Sequence, residues 1–352
     1  MRKLDRYISR NVLGATVIVL LILVFLEALF SFLGQLDDVQ GNYRSLDALT
    51  YTLLMIPKKL YELIPVSALV GCLVGLGSMA SNSELVVMRA AGVSLWRILV
   101  AVMKPALVMI LAGLLLGEYL APMAEQVGET RKAIARSSDG TYTGEGFWHR
   151  EGAEFMYFNA VEPNGVLYGV SRYVFDDDMK LQQSSFARRG IYQGDHWLLE
   201  NVTTIRRENE KFITEESLVE PWDTSLTTTL LKVVVVKPEA LSISGLLAYT
   251  QYLADQELDA GEYDLALWRK ALQPLSILSL VLVGISFVFG PLRSVSMGLR
   301  IFSGVITGIV FMIVQNLMGP SSLVFGFPPI LSVLIPILIC FLAGAVLLRR
   351  AA

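Results

Sequence analysis

The sequence predicts an α-helical membrane protein with six transmembrane helices, three on either side of an inserted all-β domain. Three observations carry that expectation: the apolarity of the whole chain, six separate apolar segments, and one long polar stretch in which hydrophobic residues alternate. Of 352 residues, 54% are hydrophobic and 17% are charged, with a mean hydropathy of +0.55. A water-soluble fold cannot hide that much apolar surface, so a polytopic membrane protein is the natural class. The formal charge of −3 says little, because in membranes the placement of Lys and Arg matters more than their sum.

The first candidate span runs from Val12 to Leu33 and follows Arg2, Lys3, Arg6 and Arg10. It is long enough at about 1.5 Å per residue for a hydrocarbon core of about 30 Å. Its apolar run is too long for a signal peptide and lacks a small-residue cleavage site, so it reads as an uncleaved helix. Tyr61–Ala80 and Ile98–Leu120 complete the first trio, and Leu272–Phe289, Ile301–Met318 and Ile330–Leu348 form the second. The N-terminus, the loops 82–97 and 291–300 (Arg293, Arg300) and the Arg349-Arg350 tail are basic, whereas the loop 319–329 has no Lys or Arg. Both termini are therefore expected in the cytoplasm, and the insert outside it.

From about Tyr142 to Val236 the hydrophobic period switches to two. Phe155–Phe158, Leu167–Phe175 and His196–Ile205 read as strands, with turn chemistry at Pro163-Asn164-Gly165, Asp176-Asp177-Asp178 and Gly194-Asp195. Several short strands at this spacing fit a sandwich, a jelly roll or an open barrel. Ser242 to about Leu258 reads as an amphipathic helix with Leu246, Leu247, Tyr249, Leu253 and Leu258 on its apolar positions. The implied organisation is 1–125 for helices one to three, 126–240 for the β domain, 241–265 for the connecting helix and 266–352 for helices four to six.

In the loop after helix two, Ser81-Asn82-Ser83-Glu84 fits a capping box, Leu85–Ala91 a short helix of the segment 82–92, and Gly92 its stop. Such a helix offers Glu84 and Arg89 beside Leu85 and Met88, a shape by which a membrane subunit docks onto a cytoplasmic partner. It equally fits a capped turn lying on the membrane surface. Inside helix one, Glu27 costs about 2.5 to 3.5 kcal/mol if ionised in the bilayer, so it should face a cavity or a partner helix. Gly71 with Gly75, and Gly304 with Gly308, place small residues four apart, as close helix packing requires.

Other chemistries find little support. Cys72 and Cys340 both lie in apolar runs, and His149 and His196 are far apart, so neither a disulfide framework nor a metal site is indicated. No G-x-x-x-x-G-K-[ST] occurs, so nucleotide phosphates are not cradled in the usual way and energy must come from a partner or a gradient.

Four segments, Leu4-Asp5-Arg6-Tyr7-Ile8, Ser83-Glu84-Leu85-Val86-Val87-Met88 with Gly92, Ala240-Leu241-Ser242-Ile243-Ser244-Gly245-Leu246, and Phe289-Gly290-Pro291-Leu292-Arg293-Ser294-Val295, occur in this order within the three-plus-three layout. Together they resemble the lipopolysaccharide export permease family (LptF/LptG, also YjgP/YjgQ), over nearly the whole chain. The resemblance implies that the β insert is a periplasmic jelly roll and that the chain is a non-catalytic transporter subunit of the bacterial inner membrane. It implies an LptF-type paralogue as pairing partner, a dimer of the ATPase LptB, which uses ATP and magnesium, and LptC alongside; this chain itself would bind no cofactor. It further implies that 83–92 is the coupling helix, with Glu84, Leu85, Met88 and Arg89 toward LptB.

A lipopolysaccharide carries phosphates above acyl chains, so its extraction needs cations at an outer rim and apolar walls below. Lys58 and Lys59 at the outer start of helix two, and Arg131, Lys132 and Arg136 after helix three, are the available rim cations, although such residues also serve as snorkelling charges. Where related sequences place a lysine near the outer end of helix one, this chain has Phe30–Gln35 followed by Asp37 and Asp38. Inward aromatics Phe155, Tyr157, Tyr168 and Tyr173 are candidates for an acyl groove in the β domain, or for its closed core. The alternatives are a secondary transporter using Glu27, Gln315 and Asn316, and an envelope enzyme using Asp37, Asp38 and Glu118.

Overall fold

The computed structural model describes residues 2–37, 39, 43–137, 147–161, 166–176, 180–208, 211–224, 238–255, 259–290 and 295–351. The helices are α1 (Arg2–Asp37), α2 (Ser45–Ser81), α3 (Glu84–Ala90), α4 (Leu95–Leu115), α5 (Ala121–Ser137), α6 (Ile243–Asp255), α7 (Gly261–Ala271), α8 (Gln273–Phe289), α9 (Met297–Phe325) and α10 (Pro329–Ala351). A π-helical turn at Leu116–Leu120 joins α4 to α5. Among the described residues, five helical stretches are long and apolar enough to cross a membrane: Lys3–Asp37, Ser45–Ser81, Leu95–Lys132, Met297–Phe325 and Pro329–Arg350. α7 and α8, bent by 49°, qualify as a sixth only if they cross together. α8 alone has 17 residues, about 26 Å at helical rise, which is short for the hydrocarbon core.

The chain divides into two compact units: Met1–Leu29, Ile56–Met123 and Pro238–Ala352 form the first, and Phe30–Met55 and Ala124–Lys237 the second. At the centre of the first unit lies α8, whose Ile277, Leu280, Val281, Val283, Ile285 and Val288 are all buried. A helix apolar all round is stable only when enclosed in this way or in lipid. Its neighbours bury Ile64, Leu69, Leu73 and Leu76 of α2, and Ile98, Val102 and Met109 of α4. Ile18, Leu21, Ile22 and Phe25 of α1 stay exposed, as a face turned to lipid or to another subunit would.

Both glycine pairs mark close approaches. A Cβ on Gly71 would sit 2.3 Å from the Thr16 Cα, and one on Gly75 2.8 Å from the Val12 Cα, so α1 crosses α2 nearly backbone to backbone. On the other side of α2, Cβ atoms at Gly304 and Gly308 of α9 would meet Leu73 and Val66 at 2.3 and 2.7 Å. Without a hydrophobic drive between helices in lipid, such contacts supply much of the association energy.

The second unit contains one six-stranded antiparallel sheet, β1 (Phe147–Glu151), β2 (Glu154–Val161), β3 (Val166–Phe175), β4 (Leu181–Tyr192), β5 (Trp197–Glu208) and β6 (Lys211–Trp222), in consecutive order. The sheet rolls on itself. Trp222 of β6 stacks near Phe158 of β2 at 6.3 Å, its ring lies 5.1 Å from the Arg172 guanidinium of β3, and Thr224 donates to Glu151 at the end of β1. Met156, Phe158, Leu167, Val170, Ala187, Trp197, Leu199, Val202 and Trp222 form the core inside the roll. Gly169, at φ +61, breaks the alternation so that Leu167 and Val170, three apart, both point inward. Its missing Cβ also leaves room for Asn159, whose Nδ2 would otherwise be 2.3 Å away.

Helix boundaries differ most from the sequence expectation. α2 begins at Ser45 rather than near Tyr61, so Lys58 and Lys59 lie within the helix and not at its start. Asp47 there accepts from the Arg44 backbone N–H at 2.9 Å, ordering a start too polar for an apolar-window reading. The helix after α4 continues to Ser137 because the wider π turn absorbs Pro122, which has no N–H to offer the carbonyl one turn back. α7 was not expected. The turns at 163–165 and at Asp177 and Asp178, and Leu258, lie outside the described residues.

Gly71→Ala should destabilise the protein by about 1 to 3 kcal/mol through overpacking against Thr16. Gly14→Ala, where nothing lies within 4 Å of the added methyl, should be neutral or slightly stabilising. Thermal unfolding of both variants in detergent, monitored by circular dichroism, makes the comparison.

Candidate functional site

The short helix α3 is held in place from both ends and from below. Its stop follows the expected chemistry: Gly92 adopts φ +83, its N–H donates to the Arg89 carbonyl at 3.0 Å, and the Val93 N–H reaches the Met88 carbonyl at 3.1 Å. Its start does not. Ser83 takes a left-handed conformation without capping through its side chain, and Ser81 still belongs to α2, donating its hydroxyl to the Gly77 carbonyl at 2.9 Å. The expected capping box is therefore absent, because an N-cap side chain needs extended backbone to reach back to the helix amides. Glu84 instead accepts from the Tyr7 hydroxyl of α1 at 2.9 Å. Leu85, 4% exposed, enters the core of the first unit, and Met88 packs against it. The outward face carries Arg89 with Val86 and Val87, the latter 65% exposed, and Trp96 nearby is 70% exposed.

Glu27 of α1 meets Lys59 of α2, with Oε1 2.7 Å from Nζ. This pairing resolves the cost of a carboxylate at membrane depth, since each charge is answered by the other. Lys58, beside it, is half-buried. In the second unit Lys132 is 4% exposed and lies 5.0 Å from the centre of the Tyr51 ring, whose hydroxyl donates to Glu129 at 2.8 Å. Arg131 is exposed, and the side chain of Arg136 lies outside the described residues. Of the expected rim cations, the structure brings Lys59 to Glu27 and covers Lys132 with an aromatic ring.

Phe155, Tyr157 and Tyr173 lie on the face of the sheet opposite Met156 and Phe158, and Tyr157 is nevertheless buried there, 3% exposed. Register pairs Trp148 with Tyr157 and Phe155 with Tyr173, while the inward positions between them are Met156 and Phe158. Trp148 contacts Tyr157 and Tyr173 at 5.1 and 6.0 Å, and Phe155 meets Phe175 edge-on at 5.4 Å. The alternating pattern was legible, but several consecutive apolar residues in β2 hid its phase. Tyr168, adjacent to Gly169, is half-buried.

Glu118 has a role that the sequence did not reveal. Its carboxylate accepts from the backbone N–H groups of Ile243 at 2.9 Å and Ser244 at 3.3 Å, and from the Ser244 hydroxyl. The Gly245 N–H goes to Ser242 Oγ at 3.0 Å. All three amides at the start of α6 are thus satisfied, two of them by a carboxylate 125 residues earlier, and its charge suits the positive end of the helix dipole. α6 packs in turn on α7 through Leu246, Ala266 and Leu267, with Tyr249 and Tyr263 at 4.5 Å. Lys270 of α7, buried, donates to the carbonyls of Glu239 and Leu241. The signal was available in Ser242-Ile243-Ser244-Gly245, a helix start rich in hydroxyls, but its partner lies too far away in sequence to be read.

These arrangements are structural rather than chemical. Asp38 lies outside the described residues, and Asp37 ends α1. His196 sits 2.7 Å from Asp195 on an exposed turn, where that hydrogen bond holds the Asp195 carboxyl below the usual carboxylate range. No group of three or more metal-ligating side chains occurs among the described residues.

Residues 6–350 match the profile of the lipopolysaccharide export system permease LptF/LptG family. The chain belongs to this family. It is 39% identical over 352 residues to the lipopolysaccharide export system permease protein LptG of Escherichia coli K12, covering 99% of this chain and 98% of that protein. It is 37% identical over 340 residues to the LptG protein of Haemophilus influenzae, covering 96% and 95%. Membership accords with the expectation of a multi-pass membrane permease carrying a β domain. Within the LptF/LptG frame, three of the four segments that signalled the resemblance have visible tasks: Asp5 and Tyr7 tie α1 to Arg97 and Glu84, 83–92 forms α3, and Ser242–Gly245 receives Glu118.

Two outcomes are expected. Glu118→Ala should speed amide hydrogen exchange across Ile243–Leu246 by about fivefold, the equivalent of losing a helix cap worth about 1 kcal/mol, with little change in α3. Lys59→Ala should destabilise the protein by about 2 to 4 kcal/mol by leaving Glu27 unpaired, and Glu27→Gln combined with Lys59→Gln should recover most of that loss in the same detergent melt.

Proposed function

We propose that this chain is the transmembrane permease subunit of an ATP-driven lipopolysaccharide exporter. It extracts lipopolysaccharide from the outer leaflet of the bacterial inner membrane and passes it to a periplasmic bridge of β domains. The observation that carries this reading is the match to the LptF/LptG family along nearly the full chain. In the proposed arrangement both termini are cytoplasmic, the sheet of 126–240 is periplasmic and jelly-roll-like, 241–265 is the connector, and helices of 1–125 and 266–352 form the membrane path. An LptF-type paralogue pairs with it, an LptB dimer binds from the cytoplasm with ATP and magnesium, and LptC docks alongside.

The anchoring of α3 supports its role as the coupling helix. Leu85 and Met88 seat it in the core, so a push on its outer face reaches α2 and α4 directly, and that face offers Val86, Val87 and Arg89 to an ATPase groove. Glu84 contributes by fixing α3 to α1. On the substrate side, Lys58, Lys59, Arg131, Lys132 and Arg136 are the cations proposed for the phosphates, with Glu27 tuning Lys59. Phe155, Tyr157, Tyr168 and Tyr173 are the sheet aromatics proposed to meet acyl chains.

The test is affinity purification of the tagged chain from native membranes, with bound proteins and lipids identified by mass spectrometry. The wild type should bring down an ATPase subunit, a paralogous permease and lipopolysaccharide. Val87→Asp with Arg89→Glu should reduce recovered ATPase by at least about tenfold, as loss of a hot spot of about 1.4 kcal/mol or more requires, while the paralogue is retained. Recovery of the chain with neither ATPase nor lipopolysaccharide would sink the reading.

A further inference from the structure

A groove of about 620 Å³ opens between the N-terminal part of α1 and α4, at the end of the first unit that carries the N-terminus. Asp5, Arg6 and Arg10 of α1 and Lys104 of α4 line it, three cations against one carboxylate. That carboxylate is already engaged: Asp5 accepts from Arg97 Nε at 3.1 Å and lies 4.0 Å from Lys104 Nζ. Arg6 and Arg10, both exposed, have no carboxylate at ion-pair distance among the described residues. They stand four apart on one helix face, where like charges repel, so the groove holds a surplus of positive charge that calls for an anion.

The rest of the lining is apolar. Leu13, Pro105 and Val108 continue the groove toward the middle of the span, and beyond them Leu107 and Leu111 are exposed on α4. The wall is also fixed in place. Pro105 lacks the N–H that would serve the Ala101 carbonyl one turn back, and the Ser9 hydroxyl of α1 donates to that carbonyl at 2.7 Å. The two helices are thereby pinned beside the groove by a bond that does not use its cations.

We propose that this groove binds an anionic phospholipid, its phosphate held by Arg6, Arg10 and Lys104 and one acyl chain lying along Leu13 and Val108. Charges at the start of the apolar run of α1 stand at headgroup depth, and basic pockets between transmembrane helices are suited to such headgroups. A soluble phosphate would use the cations but leave the apolar stretch without an occupant. An acidic protein would need the same cations, yet it would have to reach them beside walls that continue at membrane depth. The site lies apart from the cations assigned to lipopolysaccharide, and its occupancy does not depend on which lipid is exported.

Native mass spectrometry of the intact complex, released from mild detergent with cardiolipin, phosphatidylglycerol or phosphatidylcholine added, tests the assignment. Arg10→Gln with Lys104→Gln should lower retained cardiolipin and phosphatidylglycerol by at least about tenfold, given about 1 kcal/mol for each basic residue near the surface. Retained phosphatidylcholine should not change. Arg10→Lys with Lys104→Arg should keep the anionic lipid, which separates loss of charge from misfolding, and excess inorganic phosphate should not displace it. Equal retention in the charge-removed variant, displacement by inorganic phosphate, or loss of a protein subunit with lipid retention unchanged would each overturn the proposal.

Discussion

In a hydrocarbon core, a backbone carbonyl without a donor has no water to turn to, and the first unit is organised around that constraint. Pro65 within α2 leaves the Tyr61 carbonyl without its helical N–H, and the side chain of Gln273, at the start of α8, donates to it at 2.9 Å. Pro105 within α4 frees the Ala101 carbonyl, and Ser9 of α1 answers it. Near the end of α2, Arg300 of α9 donates to the Gly77 carbonyl at 2.9 Å, so a residue that a hydropathy reading counts as a loop charge is buried. Each bond links a different pair of helices. A buried acceptor left open costs about 1 to 3 kcal/mol, so the two carbonyls freed by proline help fix which helices are neighbours, while the Gly77 carbonyl, which already accepts from the Ser81 hydroxyl, gains a second donor in Arg300.

The glycine approaches act on the same helices from the opposite direction. Polar side chains specify where α2 meets α8 and α9, and Gly71, Gly75, Gly304 and Gly308 allow α1 and α9 to come close on either side of it. α2 and the buried α8 together become the axis of the unit. Because Leu85 inserts beside that axis, the loop that follows α2 is not a passive connection. A load applied to α3 falls on a packed core of low compressibility rather than on a flexible turn.

Much of this was legible in the sequence. Apolar runs mark the spans, small residues four apart mark the crossings, and period-two alternation marks the sheet, since each depends on residues close together in the chain. What escaped reading depends on distant partners. Ser83 looks like a cap, but its environment favours a left-handed turn while Tyr7 takes Glu84. Glu118 looks like a rim carboxylate, but it caps a helix 125 residues on. Phe155 and Tyr157 share the face opposite Met156 and Phe158, a phase that only the register of β2 fixes. The apolar runs that begin near Tyr61 and end near Leu120 mark only part of their helices, since α2 starts at Ser45 and α5 ends at Ser137.

The π turn at Leu116–Leu120 has a geometric effect of its own. Its one surplus residue sets the following side chains about 100° back from where an unbroken α-helix would carry them, so those just beyond Gly117 come round on a different azimuth from those of α4. The apolar stripe that α4 turns toward Ile64 and α8 therefore does not continue down the same side, and Glu118 is carried round to where α6 begins. Deleting one residue here would close the turn into α-helix and leave the residues just after it facing as they do, whereas running the same residues as unbroken α-helix would leave each chemically unchanged and swing it about 100° round. To a hydropathy plot this is nothing, but mechanically it is a screw thread cut at a new starting angle.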